Sequence, residues 1–381
     1  MFGKKDYAKK ILGRTLPSVP ADFIKNQIVG RFKPLAPTVL IFNVSYKCDS
    51  KCVMCNSWKM PYHDDLSTEE YRETFKSPLF ESIEYVGVTG GEPTLRKDMV
   101  ELVRIMSERM PRLRKMTLNT NGFVTERVVP VLDAIIDVAN ERGFLFGTRV
   151  SLDGVDDAHE DIRRVWHAFE RSMRTVRAMQ ELQEKKFFNF GISFTFTDQN
   201  VDEGQRIYEF CKKEDLNVVF SIARFTELAF GNMDLVEATA LKPEDFPKLA
   251  TFFQNRVRES SPLDGDGFLY NGYAKMFANG MKREMPCPSM DQGLLLNPNG
   301  DLFYCENSEK IANARTDDIE RAYYDPVNLA KRDRMLEKIC PSCASPCFVN
   351  AAAVKQVFPY LKFLVELGVE KTFPRRSARA S

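Results

Sequence analysis

The sequence predicts an α/β fold built around a parallel sheet, and three observations carry that prediction. Six short apolar runs rich in β-branched residues recur between residues 37 and 225, each bounded by turn residues. Longer charged segments with apolar positions at helical spacing lie between them. Apolar residues make up 44% of the 381, enough to fill the cores of roughly two or three domains. Such alternation implies right-handed βαβ units and a parallel sheet, open or curled toward a barrel.

Residues 1–36 come first and are basic, with Lys4, Lys5, Lys9, Lys10, Arg14, Lys25, Arg31 and Lys33 against Asp6 and Asp22. Phe2, Tyr7, Ile11 and Leu12 make an apolar stripe beside the lysines. A helix of this kind packs on its own domain or rests on a membrane surface. From Pro37 the expected strands are TVLIFNVSY, EYVGVTG, KMTLNTNG, GTRVSLDG, FGISFTFTD and NVVFSIARF. Their character suits burial on both faces of a parallel sheet. RKDMVELVRIMSERM, TERVVPVLDAIIDVANE and AHEDIRRVWHAFERSMRTVRAMQELQEK read as helical.

After about Phe225 the rhythm changes. Residues 236–280 read as linker and helix, with SSPLDGDGF as linker. In LLLNPNGDLFYC, Asn297, Pro298, Asn299 and Gly300 carry turn chemistry between apolar arms, which predicts a β-hairpin. Residues 351–381 begin as an amphipathic helix and end in a basic tail expected to be disordered.

Charge excludes one class of partner. Lys plus Arg number 54 and Asp plus Glu 53, so no global field recruits nucleic acid. No apolar run approaches the ~18 residues of a membrane span. The N-terminus lacks the apolar block of a secretory signal, so a soluble cytoplasmic protein is expected. The nine cysteines are grouped: Cys48, Cys52 and Cys55, then Cys287, Cys305, Cys340, Cys343 and Cys347, with Cys211 alone on a helix as a core residue. Grouped thiols in a reducing compartment bind soft metals.

Cys48, Cys52 and Cys55 form a C-x3-C-x2-C loop directly after the first strand. Three thiolates on one loop can hold three corners of a cubane iron–sulfur cluster, leaving one iron open to substrate. A zinc site completed by His63 is the alternative. At the end of the second strand stand Thr89, Gly90, Gly91, Glu92 and Pro93. Paired glycines permit close backbone approach to a ligand, and Glu92 offers a carboxylate to an ammonium group.

Together these two motifs resemble the radical S-adenosylmethionine (SAM) superfamily over residues 37 to about 225. The resemblance implies a partial (β/α)6 TIM-type barrel, a [4Fe-4S] cluster on Cys48, Cys52 and Cys55, and SAM on its open iron. It implies reductive cleavage of SAM to a 5′-deoxyadenosyl radical that abstracts hydrogen from a substrate. It places Gly90, Gly91, Glu92 and Pro93 at the methionine moiety and Ser50 near the adenine. Asn119 and Asn121 end the third strand, and Asn119 joins the expected cofactor contacts. Ser151 and Asp153 in VSLDG fall where relatives hold the ribose or carboxylate of SAM. His159 and Arg163 match a His-Asp-x-x-Arg stretch, with Glu160 in place of the Asp. Arg163 is taken as a cofactor contact and His159 as structural. Met54 stands where an aromatic usually precedes the third cysteine; its thioether can still cover an adenine face.

The later element Cys287-x12-Gly300-x4-Cys305 resembles the opening of SPASM and twitch extensions, which hold auxiliary iron–sulfur clusters. The hairpin turn folds Cys305 back toward Cys287, and a later C-x2-C can close a four-thiolate site. Cys287, Cys305, Cys340 and Cys343 are the expected ligands of one auxiliary [4Fe-4S] cluster, with Cys347 spare. Structural zinc in CPSCASPC is the rival. The expected division is 1–36 helical segment, 37–235 core barrel, 236–280 linker and helix, 281–350 cysteine-rich α+β extension, and 351–381 helix and tail.

The sequence therefore reads as a radical SAM enzyme acting on a small-molecule, sugar or lipid-linked substrate, reduced by a flavodoxin or ferredoxin. No peptide-binding domain is legible before the barrel, which weighs against a ribosomal-peptide maturase. The basic N-terminal helix allows peripheral membrane contact. A non-catalytic zinc or iron–sulfur protein is the rival from another class; the vacant ligand position argues against it.

Overall fold

The computed structural model describes residues 29–227, 230–260, 265–285, 287–345 and 357–372. Six strands arise where the apolar runs lie: β1 Val39–Asn43, β2 Tyr85–Thr89, β3 Lys115–Thr120, β4 Leu145–Ser151, β5 Asn189–Phe196 and β6 Val218–Ile222. Neighbours pair parallel, from Val39↔Tyr85 between β1 and β2 to Phe196↔Ile222 between β5 and β6. The connections carry helices α1 Thr68–Thr74, α2 Met99–Arg109, α3 Thr125–Arg142, α4 Asp157–Arg163, α5 Ala168–Lys185 and α6 Glu203–Lys213. A Ser67–Glu70 capping box starts α1, and Gly143 at φ 79° ends α3.

Residues 158–185 read as one helical stretch but fold as two helices. Arg164 (φ 52°) and His167 (φ 54°) break the run between α4 and α5. Neither is glycine, so no residue type announced the break.

Burial on both faces holds for β1 and not for the other strands generally. β2, β3 and β6 alternate buried and half-buried residues. Val86, Val88, Met116, Leu118, Phe146 and Ile192 belong to the main apolar core. The opposite face stays partly accessible because the sheet does not close, leaving a concavity. The sheet runs β6-β5-β4-β3-β2-β1-β7-β8-β9, so β6 and β9 are its edges.

The three added strands are β7 Gly293–Leu296, β8 Asp301–Phe303 and β9 Lys310–Asn313. The expected hairpin is β7–β8, turned at Gly300 (φ 88°) and closed by Asn297 N–H to Asp301 O at 2.9 Å. It continues the barrel sheet, with β7 parallel to β1 from Val39↔Gly293 to Phe42↔Leu296.

Between β6 and β7 lie α7 Val236–Thr239, α8 Phe246–Glu259 and α9 Gly265–Ala278. The stretch read as a linker through Phe268 is thus helical from Gly265. Packing overrides its glycine-rich composition. Phe253 of α8 meets Tyr273 of α9 at 5.0 Å between ring centroids, and Phe252 meets Phe220 of β6 at 4.9 Å. The chain ends with α10 Ile319–Tyr324, α11 Pro326–Lys338 and α12 Val357–Thr372. The expected N-terminal stripe (Phe2 to Leu12) and the basic tail lie outside the described residues. Among those described, no helix is long and apolar enough to cross a membrane.

Candidate functional site

The first cysteine loop leaves the carboxyl end of β1, where parallel sheets place their chemistry. Residues 45–47 lead into it, crossed closely by the glycine turn after β2. Gly91 N–H donates to Ser45 O at 2.7 Å and Glu92 N–H to Lys47 O at 2.8 Å. A Cβ on Gly90 (φ 123°) would lie 2.3 Å from Ser45 O, and one on Gly91 2.2 Å from Lys47 O. The close approach these glycines permit is therefore to the chain's own backbone.

Glu92 is 1% exposed. Its carboxylate accepts from Thr94 N–H (3.1 Å), Thr94 Oγ1 (2.6 Å), Thr120 Oγ1 (2.9 Å) and Asn121 N–H (2.7 Å). Burial, with Asp49 adding to it, pushes its carboxyl up against the pull of these donors. Its visible work is to lock the β2 turn to the end of β3. Pro93 begins the 3-10 turn Pro93–Leu95 that follows.

Asn121 and Arg163 converge on the thiols. Asn121 Nδ2 donates to Asp49 Oδ1 at 2.9 Å and lies 3.5 Å from Cys48 Sγ. Arg163 Nη1 donates to Asn121 Oδ1 at 3.0 Å and lies 3.6 Å from Cys52 Sγ. Its Nε pairs with Asp153 Oδ2 at 2.7 Å, both side chains buried. Burial opposes the guanidinium charge, but Asp153, Cys52 and Cys48 together raise its pKa. Ser50 Oγ donates to Arg163 O at 3.1 Å and touches Cys52 Sγ at 3.0 Å. Arg127 pairs with Asp49 at 2.5 Å, and Asn232 Nδ2 donates to Met54 O at 2.6 Å.

The remaining expected residues divide. Asp153 is the buried partner of Arg163, and its backbone N–H donates to His159 Nδ1 at 3.0 Å. Burial, then Arg163, keep His159 neutral, so its proton sits on Nε2. Ser151 lies half-buried on the concave face, 3.3 Å from Ser193 Oγ. Asn119 is exposed on that face, whereas Asn121, absent from the expected contacts, reaches the thiols. Asp49 and Arg127 were missed as well. His63 is exposed.

The donor set fits an iron–sulfur cluster. Three thiols share one loop, and N–H donors of the kind that tune cluster sulfurs already stand beside two of them. Burial, with Cys52 adding to it, pushes Cys48 up to about 12 and raises Cys55 too. A bound metal supplies the positive charge that displaces such protons.

The second cysteine group lies between β6 and the hairpin. Cys287 and Cys305 are buried; Cys340 and Cys343 are half-buried. Burial and the nearby Cys343 and Cys287 thiols push Cys340 up to about 11. Arg283 laces the segment together, donating to Met285 O (2.9 Å), Cys343 O (2.6 Å) and Ser345 O (3.0 Å). Asn307 Nδ2 lies 3.7 Å from Cys343 Sγ, joining the turn after Cys305 to the group. Cys347 lies outside the described residues, and Cys211 is buried on α6. Among the described residues, the one cluster of three potential ligands within 4.8 Å is Glu160, His167 and Glu170, mostly exposed.

Comparison with known proteins places this geometry. The Radical SAM superfamily matches residues 42–211. Fe-coproporphyrin III synthase of Methanosarcina barkeri is 28% identical over 211 residues, 53% of this chain and 46% of that protein. Sporulation killing factor maturation protein SkfB of Bacillus subtilis is 25% identical over 210 residues, 54% of this chain and 47% of that protein. The chain thus spans about half the length of these curated relatives. Streptococcus suis SuiB bound to S-adenosylmethionine superposes with a TM-score of 0.57 at 17% identity, over 92% of this chain and 85% of SuiB. That likeness is one of fold, a partial barrel whose sheet stays open. Residues 42–211, which hold the first cysteine loop and the glycine turn, are thus the part of the chain that matches the Radical SAM superfamily.

Proposed function

We propose that the chain is a radical SAM enzyme with an auxiliary iron–sulfur cluster. Cys48, Cys52 and Cys55 would hold a [4Fe-4S] cluster and leave its fourth iron to SAM. When bound, this pair supplies reductive cleavage of SAM to methionine and a 5′-deoxyadenosyl radical, which takes hydrogen from the substrate. The chain's own part is positional. Asn121 and Arg163 bring N–H donors to the sulfurs, while Asp153 pairs with Arg163 and His159 accepts from the Asp153 backbone. Glu92 and the glycine turn hold the loop that carries Cys48. The single observation that carries the reading is this set of three thiols on one loop at the barrel's carboxyl edge, with Asn121 and Arg163 beside them.

In the same reading Cys287, Cys305, Cys340 and Cys343 hold the auxiliary cluster, with Cys347 as a fifth thiol, in an extension spanning 281–350. The electron donor would be a flavodoxin or ferredoxin. A second reading, maturation of a ribosomal peptide, draws on SkfB, a maturation protein by name, and on SuiB, also solved with precursor peptide SuiA.

The test is iron, sulfide and zinc content, with SAM cleavage, of anaerobically reconstituted wild type and a Cys48/Cys52/Cys55→Ala triple variant. About eight irons falling to about four, with cleavage lost, is expected. Iron absent from both, or cleavage surviving in the variant, refutes the reading.

A further inference from the structure

We infer that the substrate carries a carboxylate or phosphate group and that Arg149 receives it inside the barrel. The inference rests on the radical SAM reading and adds the substrate's chemical class.

The strands present two unlike faces. Residues of one parity, such as Val86, Met116, Phe146 and Phe220, are buried in the main core. Many of the other parity are small or polar and half-buried, among them Gly87, Thr117, Ser151, Ser193, Thr195 and Ser221. Contacts fix them on one face. Ser151 Oγ and Ser193 Oγ are 3.3 Å apart, and Thr195 Oγ1 and Ser221 Oγ 3.1 Å. A Cβ on Gly147 would lie 3.7 Å from Thr117 Cγ2. Ile41, Leu295 and Phe303 form a small apolar cluster at the β1 side of this face, while over β3 to β5 hydroxyls and glycines shape a polar chamber.

The charge of that chamber has one sign. The inward positions of β1 to β6 contain no Asp or Glu, and two cations, Lys115 and Arg149. Burial and the neighbouring Arg149 push the Lys115 ammonium down to about 8, while Asp266 of α9 pulls it back. Arg149 stands on β4 level with Asn119 of β3 and Gly191 of β5. The position beside it on β5 is Gly191, where a Cβ would meet Asn217 O at 2.5 Å, so no side chain from that position covers the guanidinium. Among the described residues, the Arg149 side chain makes no hydrogen bond and no ion pair. A partly buried guanidinium without a counter-ion is stabilised by a planar anion that its fork can grip in two places. Arg149 lies two residues before Ser151, roughly 7 Å deeper along the strand. The expected SAM contact is at Ser151, so the anion belongs to a molecule below it.

The test uses reconstituted, SAM-loaded protein, with inorganic phosphate and succinate as separate calorimetric probes. Wild type, Arg149→Gln and Arg149→Lys are compared. One anion per chain on wild type, weakened at least tenfold by Arg149→Gln and partly restored by Arg149→Lys, is expected. The tighter probe assigns phosphate or carboxylate. SAM affinity, read from the electron paramagnetic resonance of the reduced cluster, should stay unchanged in Arg149→Gln. With SAM bound, equal anion affinity in wild type and Arg149→Gln, or no anion binding, overturns the inference and leaves the radical reading standing. A tenfold loss of SAM affinity in Arg149→Gln also overturns it, because the guanidinium would then serve SAM itself. Absence of both cluster and SAM binding in wild type sinks the radical reading, and this inference with it.

Discussion

Arg163→Gln is the most informative single change near the thiols, because the structure states what it breaks. The side chain is 8% exposed and its partner Asp153 0% exposed, with 2.7 Å between them. Removing one member of such a pair strands the other charge in a poorly solvated place, a loss of about 3–5 kcal/mol. Asp153 keeps one donor, Thr195 N–H at 2.8 Å, which argues for the lower end, about 3 kcal/mol. For a chain of 381 residues that corresponds to a fall in Tm of roughly 4 °C. The assay is anaerobic thermal unfolding of metal-free protein followed by circular dichroism, so that cluster binding does not mask the loss. A double variant, Arg163→Gln with Asp153→Asn, removes both charges and should recover at least half of the fall. A drop below about 2 °C, or a double variant no more stable than the single one, would refute the buried-pair account.

Two further expectations follow from local geometry. Gly91→Ala puts a Cβ 2.2 Å from Lys47 O and 2.7 Å from Tyr46 O, both backbone atoms that cannot rotate away. It should cost about 1–3 kcal/mol and lower iron loading of the first cysteine group. Gly147→Ala, whose Cβ meets nothing nearer than 3.6 Å, should load iron normally; equal loading in both would contradict this assignment. Glu70 accepts from Arg315 at 2.7 Å and from Ser67, which holds its pKa at about 2, below the ordinary 4.5. A depressed carboxyl stabilises above its unfolded pKa and loses that contribution as pH falls. Glu70→Ala should therefore destabilise metal-free protein at pH 7 by about 0.5–1 kcal/mol, a modest figure because the side chain is 40% exposed. The gap to wild type should narrow as pH drops from 4.5 toward 2; a gap constant with pH would contradict the ionic origin.

The strands were legible because their apolar runs are short, β-branched and bounded by turns, and the β7–β8 turn because Asn297 to Gly300 spell it out. The break at Arg164 and His167 was hidden, since both adopt positive φ without the glycine that normally announces it. Equally hidden was the parallel union of β7 with β1. It depends on pairs such as Asn43 Nδ2 to Asn297 Oδ1 at 2.8 Å, 254 residues apart, which no local pattern encodes. At the site, the thiols and the glycine turn are contiguous motifs and stood out. Asn121 was singled out with Asn119 but not counted among the contacts, because β3 ends at Thr120 and strand alternation no longer says where the next side chain points. Asp49 and Arg127 form one contact across 78 residues of chain, so neither marks the site alone.

The position of the second cysteine group follows from the open sheet. β6 and the hairpin are not hydrogen-bonded to each other, so a barrel of six strands has a gap on that side. Side chains bridge it instead. Arg224, just after β6, pairs with Glu306 beside Cys305 and donates to Ser345 Oγ at 3.1 Å. Tyr273 of α9 donates to Ala344 O at 3.0 Å. Glu306 is 3% exposed, so this carboxylate is committed to the bridge rather than to solvent. Residues flanking Cys305 and Cys343 are thereby fixed to the barrel edge that bounds the polar chamber. On the proposed reading a cluster held there would stand at that edge, and its loading would help to seal the gap. Metal at the second group would then have a structural consequence for the barrel as well as an electronic one. A chain lacking only those thiols should bind substrate more weakly even where SAM cleavage survives.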